Sequence, residues 1–187
     1  GKGGFSEVWK CFDLIEARVV ACKVHRINKE WSRQTKDHYL KHASRELDIM
    51  RKLNHPRLTQ LYDVFEHDDD TFVSVMEFSS GVDLDSFLKR NRTMRECDAR
   101  IIMMQLIAAL RHLAEQPTPI IHYDLKPANI LFHSELASSM DIKITDFGLS
   151  KIITQNMGVS DDPSVELTSV GTGTFYYLPP ECFNTSS

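Results

Sequence analysis

The chain has 187 residues, 42% of them hydrophobic, and its 22 basic and 26 acidic side chains leave a formal net charge of −4. That balance reads as a soluble globular protein and gives no basic footprint for direct nucleic-acid binding. No apolar run reaches the length of a membrane span, and no signal peptide leads the chain. Cys11, Cys22, Cys97 and Cys182 are scattered without C-x-x-C spacing, so neither zinc nor a disulfide framework is indicated, and free thiols suit a reducing, intracellular setting.

Taken in chain order, Gly1-Lys2-Gly3-Gly4-Phe5-Ser6-Glu7-Val8 reads as a Gly-rich loop between two strands, with Val8 starting the return strand. Glycines let the main chain approach phosphates closely and aim N–H groups at them. Alone, such a stretch is more often just an ordinary hairpin turn. Short β-like runs follow at about 8–12, 18–24, 59–65 and 71–78, which predicts a small sheet. Lys23, taken alone, is a solvated strand-edge lysine; inside the apolar run Val20-Ala21-Cys22 it is better read as a charge that holds phosphates. Residues 36 to 53 predict a helix, with Leu40, Ala43, Leu47 and Met50 at steps of three and four. Glu46 lies beside that stripe, placed either to face the sheet and pair with Lys23 or to sit in solvent with Arg45 and Asp48. His38 and His42 share helical spacing, but no carboxylate or thiol motif accompanies them, so they read as surface histidines rather than metal ligands.

Phe78-Ser79-Ser80-Gly81 breaks the strand pattern and reads as a hinge, with Met76 behind it as core filling at the back of a pocket. Helical periodicity then dominates: Leu84, Phe87 and Leu88, followed by Ile102, Leu106, Ala109, Leu110 and Leu113, with Pro117 and Pro119 ending the second helix at about 98–116. Ile130-Leu131-Phe132 and Ile142-Lys143-Ile144 predict a β-hairpin around a loop at 133–141.

The most informative stretch is His122-Tyr123-Asp124-Leu125-Lys126-Pro127-Ala128-Asn129, followed by Asp146-Phe147-Gly148. Phosphoryl transfer needs little covalent chemistry from a protein: a carboxylate near the attacking hydroxyl, oxygen ligands for magnesium, and positive charge on the phosphates. Asp124 suits the first task, Asn129 and Asp146 the second, since hard magnesium prefers oxygen donors.

These residues resemble the protein kinase pattern H-R-D-L-x-x-x-N followed by D-F-G, with Tyr123 where that pattern has Arg. The opening resembles G-x-G-x-x-G-x-V with Ser6 at the third glycine, and Leu178-Pro179-Pro180-Glu181 resembles A-P-E. Lys126, two residues beyond Asp124, and Gly173-Thr174-Phe175-Tyr176-Tyr177 match the serine/threonine type, in which Thr174 would bond Asp124 and Lys126 and the loop would receive the residue after the phosphoacceptor. The resemblance implies an α+β, two-lobed fold with a β-rich N-lobe over 1–78, and a hinge and helical C-lobe over 79–187. It also implies that the domain is truncated at both ends, lacking its first strand and its last helices, so that this stretch alone would be a poor enzyme. ATP and Mg²⁺ are the implied cofactors. Gly1, Lys2, Gly3, Gly4, Phe5, Ser6, Val8, Ala21, Lys23, Glu46, Met76, Glu77 and Phe78 would form the nucleotide site, Asp124 and Lys126 would be catalytic, and Asn129 and Asp146 would bind metal. Thr154, Ser160, Ser164, Thr168, Ser169 and Thr172 are candidate phosphorylation sites. A pseudokinase would usually have lost the lysine or one of the aspartates, and a small-molecule kinase would lack the Gly173–Tyr177 loop.

Cys22-Lys23-Val24-His25, Asn28-Lys29-Glu30-Trp31, Lys41-His42-Ala43, the Tyr123 variant and Leu178-Pro179-Pro180-Glu181-Cys182-Phe183 together resemble the Tousled-like kinases. That likeness implies a nuclear enzyme acting on histone chaperones in chromatin assembly and self-associating through coiled coils, whose heptads are not among these residues.

Overall fold

The computed structural model describes residues 6–68, 70–134, 140–152 and 174–178. Its first half is a four-stranded antiparallel sheet in the order β1-β2-β4-β3, built from Ser6–Asp13 (β1), Arg18–Arg26 (β2), Leu61–Asp68 (β3) and Thr71–Glu77 (β4). The β1–β2 turn closes because Asp13 Oδ1 accepts from the Ile15 and Glu16 amides, with Ala17 in the left-handed region at φ 49°. β1 starts at Ser6, earlier than the residue pattern suggested, since Ser6 already pairs with His25 across the hairpin.

Helix α1 (Arg33–Lys52) lies between β2 and β3 in the chain. It begins three residues before the predicted start at 36 because Ser32 caps it, its hydroxyl accepting from the Thr35 amide at 3.2 Å. Ala43, Leu47 and Met50 are buried as the stripe requires, together with Glu46 and Ile49. Leu40 is not: it stays 40% exposed.

Beyond the hinge come α2 (Leu84–Asn91), α3 (Glu96–Ala114), β5 (Ile120–Ile121), β6 (Ile130–Phe132), β7 (Ile142–Ile144) and β8 (Lys151–Ile152). β6 and β7 form the expected antiparallel hairpin, and β5 pairs with β8, a contact two residues long and too short to carry a periodic signal. α3 buries Ile102, Leu106, Ala109 and Leu113 on one side. Its other side exposes Ile101, Met103, Met104 and Ile107, a contiguous apolar face of the kind that protein surfaces normally cover. Among the described residues, no helix is long and apolar enough to cross a membrane.

One hydrophobic cluster runs through both halves, from Leu47, Met50, Leu61 and Met76 to Ile102, Leu113, Ile130, Ile144 and Phe147. The segment between α1 and β3 stitches the halves together. Thr59 N–H donates to Ile144 O and Ile144 N–H to Arg57 O, both at 2.9 Å, while the Arg57 guanidinium reaches Asp141 at 2.7 Å. The hinge ends against β6, where the Gly81 amide donates to Phe132 O at 3.2 Å.

Gly81 is a steric requirement. A Cβ there would lie 2.6 Å from both Phe132 Cβ and Phe132 O and 2.7 Å from Ser134 O, and backbone cannot step aside. Gly81→Ala should therefore destabilise the domain by at least ~1–3 kcal/mol, the scale of overpacking. Chemical denaturation of the intact protein, following the unfolding of this domain, checks this; an unchanged midpoint would mean that the hinge is free to move off β6.

Candidate active site

A lysine drawn into a sheet needs a counter-charge, and α1 supplies it. Lys23 Nζ lies 2.6 Å from Glu46 Oε1, with the two side chains 17% and 10% exposed. Glu46 is thus a buried partner and not a solvated helix charge. Breaking such a pair from one side leaves an uncompensated buried charge, which typically costs ~3–5 kcal/mol. Val8 stands opposite Lys23 in the β1–β2 register and Ala21 opposite Met76 in the β2–β4 register, so these four residues share one patch of sheet. Gly1, Lys2, Gly3, Gly4 and Phe5 lie outside the described residues.

At the hinge, two residues expected at the nucleotide turn their side chains elsewhere. The Glu77 carboxylate accepts from Lys143 Nζ at 2.6 Å and from the Gln60 amide at 3.3 Å, and the Phe78 ring lies under Lys10 Nζ at 4.9 Å. Any role of Glu77 and Phe78 toward a nucleotide therefore falls to their main chain. Lys143 explains why Glu77 turns away: all three residues of β7 are buried, and a lysine among them must find a carboxylate. A lysine between two isoleucines was the available sequence signal for an ion pair, though it could not name the partner.

The loop 122–129 is held by its own polar groups. His122 is 3% exposed. Its Nδ1 accepts from the Asp124 amide at 3.3 Å, which leaves Nε2–H to donate to Thr145 O at 3.1 Å. That is the neutral form, and burial pushes the imidazole below its usual range in agreement with it. The ring also packs on Phe147, centroids 5.1 Å apart. Between His122 and Asp124, Tyr123 takes φ 64°, and Asp146 takes φ 66°; both are strained for non-glycine residues. The two bends bracket the site.

Asp124 is the centre of it. Its carboxylate accepts from Lys126 Nζ at 2.7 Å, from Thr174 Oγ1 at 2.8 Å and the Thr174 amide at 3.1 Å, and from Asn129 Nδ2 at 3.2 Å. Lys126 Nζ also reaches Thr174 Oγ1 at 2.7 Å. Burial pushes the Asp124 carboxyl up, but the Lys126 ammonium and the Thr174 hydroxyl outweigh it and hold the group below the ordinary carboxylate range. Asp124 is therefore an ionised acceptor at neutral pH, already aligned by four donors.

Asn129 spends its amide nitrogen on Asp124 O at 2.8 Å, which leaves Oδ1 as its ligand atom for a cation. Thr145 N–H donates to Asn129 O at 3.0 Å, tying the end of β7 to this loop and so bringing Asp146 to the same cleft, where it is exposed. A Cβ at Gly148 would sit 3.3 Å from Asp146 Oδ1 and 3.5 Å from Glu46 Oε2. The Lys23–Glu46 pair and Asp146 thus border one cleft. One carboxylate and one amide oxygen are the donor set a hard divalent cation prefers, so the residues fit magnesium. His38 and His42, by contrast, pair only with each other in this region, Nε2 to Nε2 at 3.1 Å on the exposed face of α1, and no group of three or more metal-type side chains occurs among the described residues.

Past Thr174, Phe175–Tyr177 forms one 3₁₀ turn with its three aromatic rings exposed. The candidate phosphorylation positions from Thr154 to Thr172, Gly173, and the Pro179–Phe183 motif lie outside the described residues.

Comparison with known proteins agrees with this geometry. The protein kinase domain family matches residues 1–187. Tousled-like 1 from Caenorhabditis elegans, named a serine/threonine-protein kinase, is 55% identical over 98% of this chain and 19% of its own length. Human tousled-like 2 is 54% identical over 98% of this chain and 23% of its own length, and TOUSLED from Arabidopsis thaliana is 49% identical over 98% and 26%. The chain thus spans about a fifth to a quarter of the length of these relatives. A crystal structure of Rad53 1-466 in complex with AMP-PNP superposes with a TM-score of 0.69 at 32% identity, covering 79% of this chain and 36% of that one. The chain belongs to the protein kinase domain family and, within it, is similar to the tousled-like serine/threonine kinases.

Proposed function

We propose that this chain is the catalytic region of a protein serine/threonine kinase that transfers the γ-phosphoryl group of ATP, with Mg²⁺, to serine and threonine hydroxyls of proteins. The observation that carries this reading is the Asp124–Lys126–Thr174 cluster, an ionised carboxylate with an ammonium at 2.7 Å, beside a cleft bordered by the Lys23–Glu46 pair. The complex of Rad53 with AMP-PNP, an ATP analogue on a related fold, supports the nucleotide assignment.

On this reading Lys23, held by Glu46, binds the α- and β-phosphates. Asn129 Oδ1 and the Asp146 carboxylate hold magnesium, which when bound neutralises charge on the β- and γ-phosphates. Asp124 accepts the hydrogen bond of the acceptor hydroxyl and aligns its oxygen with the γ-phosphorus. As the new O–P bond forms and the bond to the ADP oxygen breaks, the hydroxyl proton passes to Asp124. Lys126 stabilises the charge on the phosphoryl group in transit, and Thr174 holds both residues while its own neighbours, Phe175 to Tyr177, offer an apolar platform for the residue following the acceptor. The likeness to tousled-like kinases further supports nuclear localisation, histone chaperones as substrates, and self-association through segments beyond this chain. A pseudokinase reading has no residue in its favour, since Lys23, Asp124 and Asp146 are all present.

Two outcomes check this. Asp146→Asn in the intact protein should lower turnover by at least ~100-fold, the scale of removing one preorganised electrostatic element. Phosphotransfer measured with mass-spectrometric identification of the acceptor residues decides it, and near-normal turnover would overturn the role of Asp146. Tyr123 offers no positive charge to an activation-segment phosphate, the coupling that an arginine provides elsewhere. Alanine at Thr154, Ser160, Ser164, Thr168, Ser169 and Thr172 together should therefore cost less than ~10-fold in turnover, against the larger losses that follow when a charge-assisted anchor is lost. A collapse of activity that Tyr123→Arg plus an acidic replacement restores would show that phosphate anchoring governs this enzyme too.

A further inference from the structure

Two residues along β2 from Lys23 sits a second polar side chain on the same face of the strand, His25, and it too meets α1. His25 Nδ1 lies 3.0 Å from the Tyr39 hydroxyl. The spacing makes the two contacts a pair. Residues 23 and 25 share a strand face because side chains alternate, and residues 39 and 46 share a helix face because seven residues return within about 20° of the start. The strand and the helix therefore meet at two points, Lys23 on Glu46 at 2.6 Å and His25 on Tyr39 at 3.0 Å, the helix running opposite to the strand. The two points stand roughly 10 Å apart along the helix. A single ion pair beside an apolar face, which has no directional contacts, fixes the helix at one point but sets its angle on the sheet only loosely. A second, spaced contact removes that freedom.

Both partners of the second contact are themselves fixed. His25 is 3% exposed and stacks on Phe72 of β4, centroids 4.3 Å apart and planes 7° from parallel. Trp31, just before the capping Ser32, meets the Tyr39 ring edge-on at 5.4 Å. The hydrogen bonds also run in one consistent direction. Ser74 Oγ donates to Lys23 O, and so accepts from His25 Nε2–H, both at 3.5 Å. That leaves Nδ1 of His25 to accept from the Tyr39 hydroxyl. The chain of bonds leads from α1 to the main chain of Lys23 itself. Burial, with Lys23 adding to it, pushes the imidazole down to about 4, and burial with Glu46 pushes the Tyr39 phenol up to about 12. The contact is therefore neutral at physiological pH, and it places no charge beside the ion pair.

We propose that the His25–Tyr39 hydrogen bond is a second clamp that sets the orientation of α1 on the sheet and so keeps Glu46 on Lys23, making His25 and Tyr39 positioning residues for phosphoryl transfer. The assignment to transfer rests on the kinase reading above; the clamp itself does not.

The test uses the intact protein and Tyr39→Phe, which removes one oxygen and keeps the ring that Trp31 packs on. Hydrogen–deuterium exchange along residues 33–52 should quicken by at least ~3-fold in this variant, since the helix loses one of the two polar contacts that join it to β2 while its apolar packing is kept. In phosphotransfer assays kcat should fall by about 5–30-fold with KM for ATP moving less than ~3-fold, because misplacement hurts the transition state more than binding. His25→Asn, which keeps an acceptor where Nδ1 stands, should stay nearer to wild type in both readouts than His25→Leu, which fills the site without one. Unchanged exchange in α1 of Tyr39→Phe would overturn the clamp whatever the activity. Quickened exchange with kcat unaltered would overturn the positioning role. If the wild-type protein transfers no phosphate at all, the kinase reading fails, while the exchange result still decides the clamp.

Discussion

Burying a cation in a sheet is expensive unless an anion meets it, and that requirement organises the first half of this molecule. Lys23 lies in an apolar strand, its side chain 17% exposed, with Glu46 of α1 at 2.6 Å as its counter-charge. The helix must therefore dock on the sheet in one register, with Ala43, Leu47 and Met50 turned inward alongside Glu46. Their burial supplies the apolar stabilisation that the ion pair, close to break-even by itself, does not. The same helix places Met50 in the core cluster that also holds Leu61 and Phe147, and Glu46 lies beside Gly148, so the charge pair and the Asp146–Gly148 turn are neighbours.

The second constraint is the fit between the halves. Arg57, Leu58 and Thr59 run along β7, Lys143 of β7 pairs with Glu77 at the hinge, and Arg57 pairs with Asp141. These contacts tie the hinge and the segment before β3 to β7. On the proposed function, catalysis by positioning would depend on such rigidity, since the groups come from different elements: Lys23 from β2, Glu46 from α1, Asp124 and Asn129 from the 122–129 loop, and Thr174 from the segment that meets Asp124 and Lys126. The backbone strain at Tyr123 and Asp146 fits the same pattern, a local cost carried where a side chain must be aimed.

Much of this was legible in the residues, and unevenly so. That Asp124, Lys126 and Asn129 would come together was legible because phosphoryl transfer asks for those residue types at that spacing, and the Thr174 contacts with Asp124 and Lys126 were expected from the same pattern. The strands and α1 were readable from period, but their ends were not: Ser32 caps α1 ahead of its apolar stripe, and Leu40 fits the stripe yet stays 40% exposed. The β5–β8 pairing is two residues long and leaves no periodic trace. Glu77 was read as a nucleotide contact, whereas its carboxylate belongs to Lys143, 66 residues away, a pairing that only the tertiary fold creates. The His25–Tyr39 contact hides for the same reason, since a histidine within a strand and a tyrosine on a helix are each unremarkable until the fold joins them.

The central claim is that the Asp124 cluster directs phosphoryl transfer to serine and threonine hydroxyls. The most direct measurement incubates the intact protein and its Asp124→Asn variant with γ-labelled ATP, Mg²⁺ and protein acceptors, and identifies the labelled residues by mass spectrometry while nucleotide binding is followed in parallel. The wild-type protein should place label on serine and threonine, and Asp124→Asn should lose that label with nucleotide binding retained. Label that persists in the variant, or that appears on tyrosine alone, would contradict it.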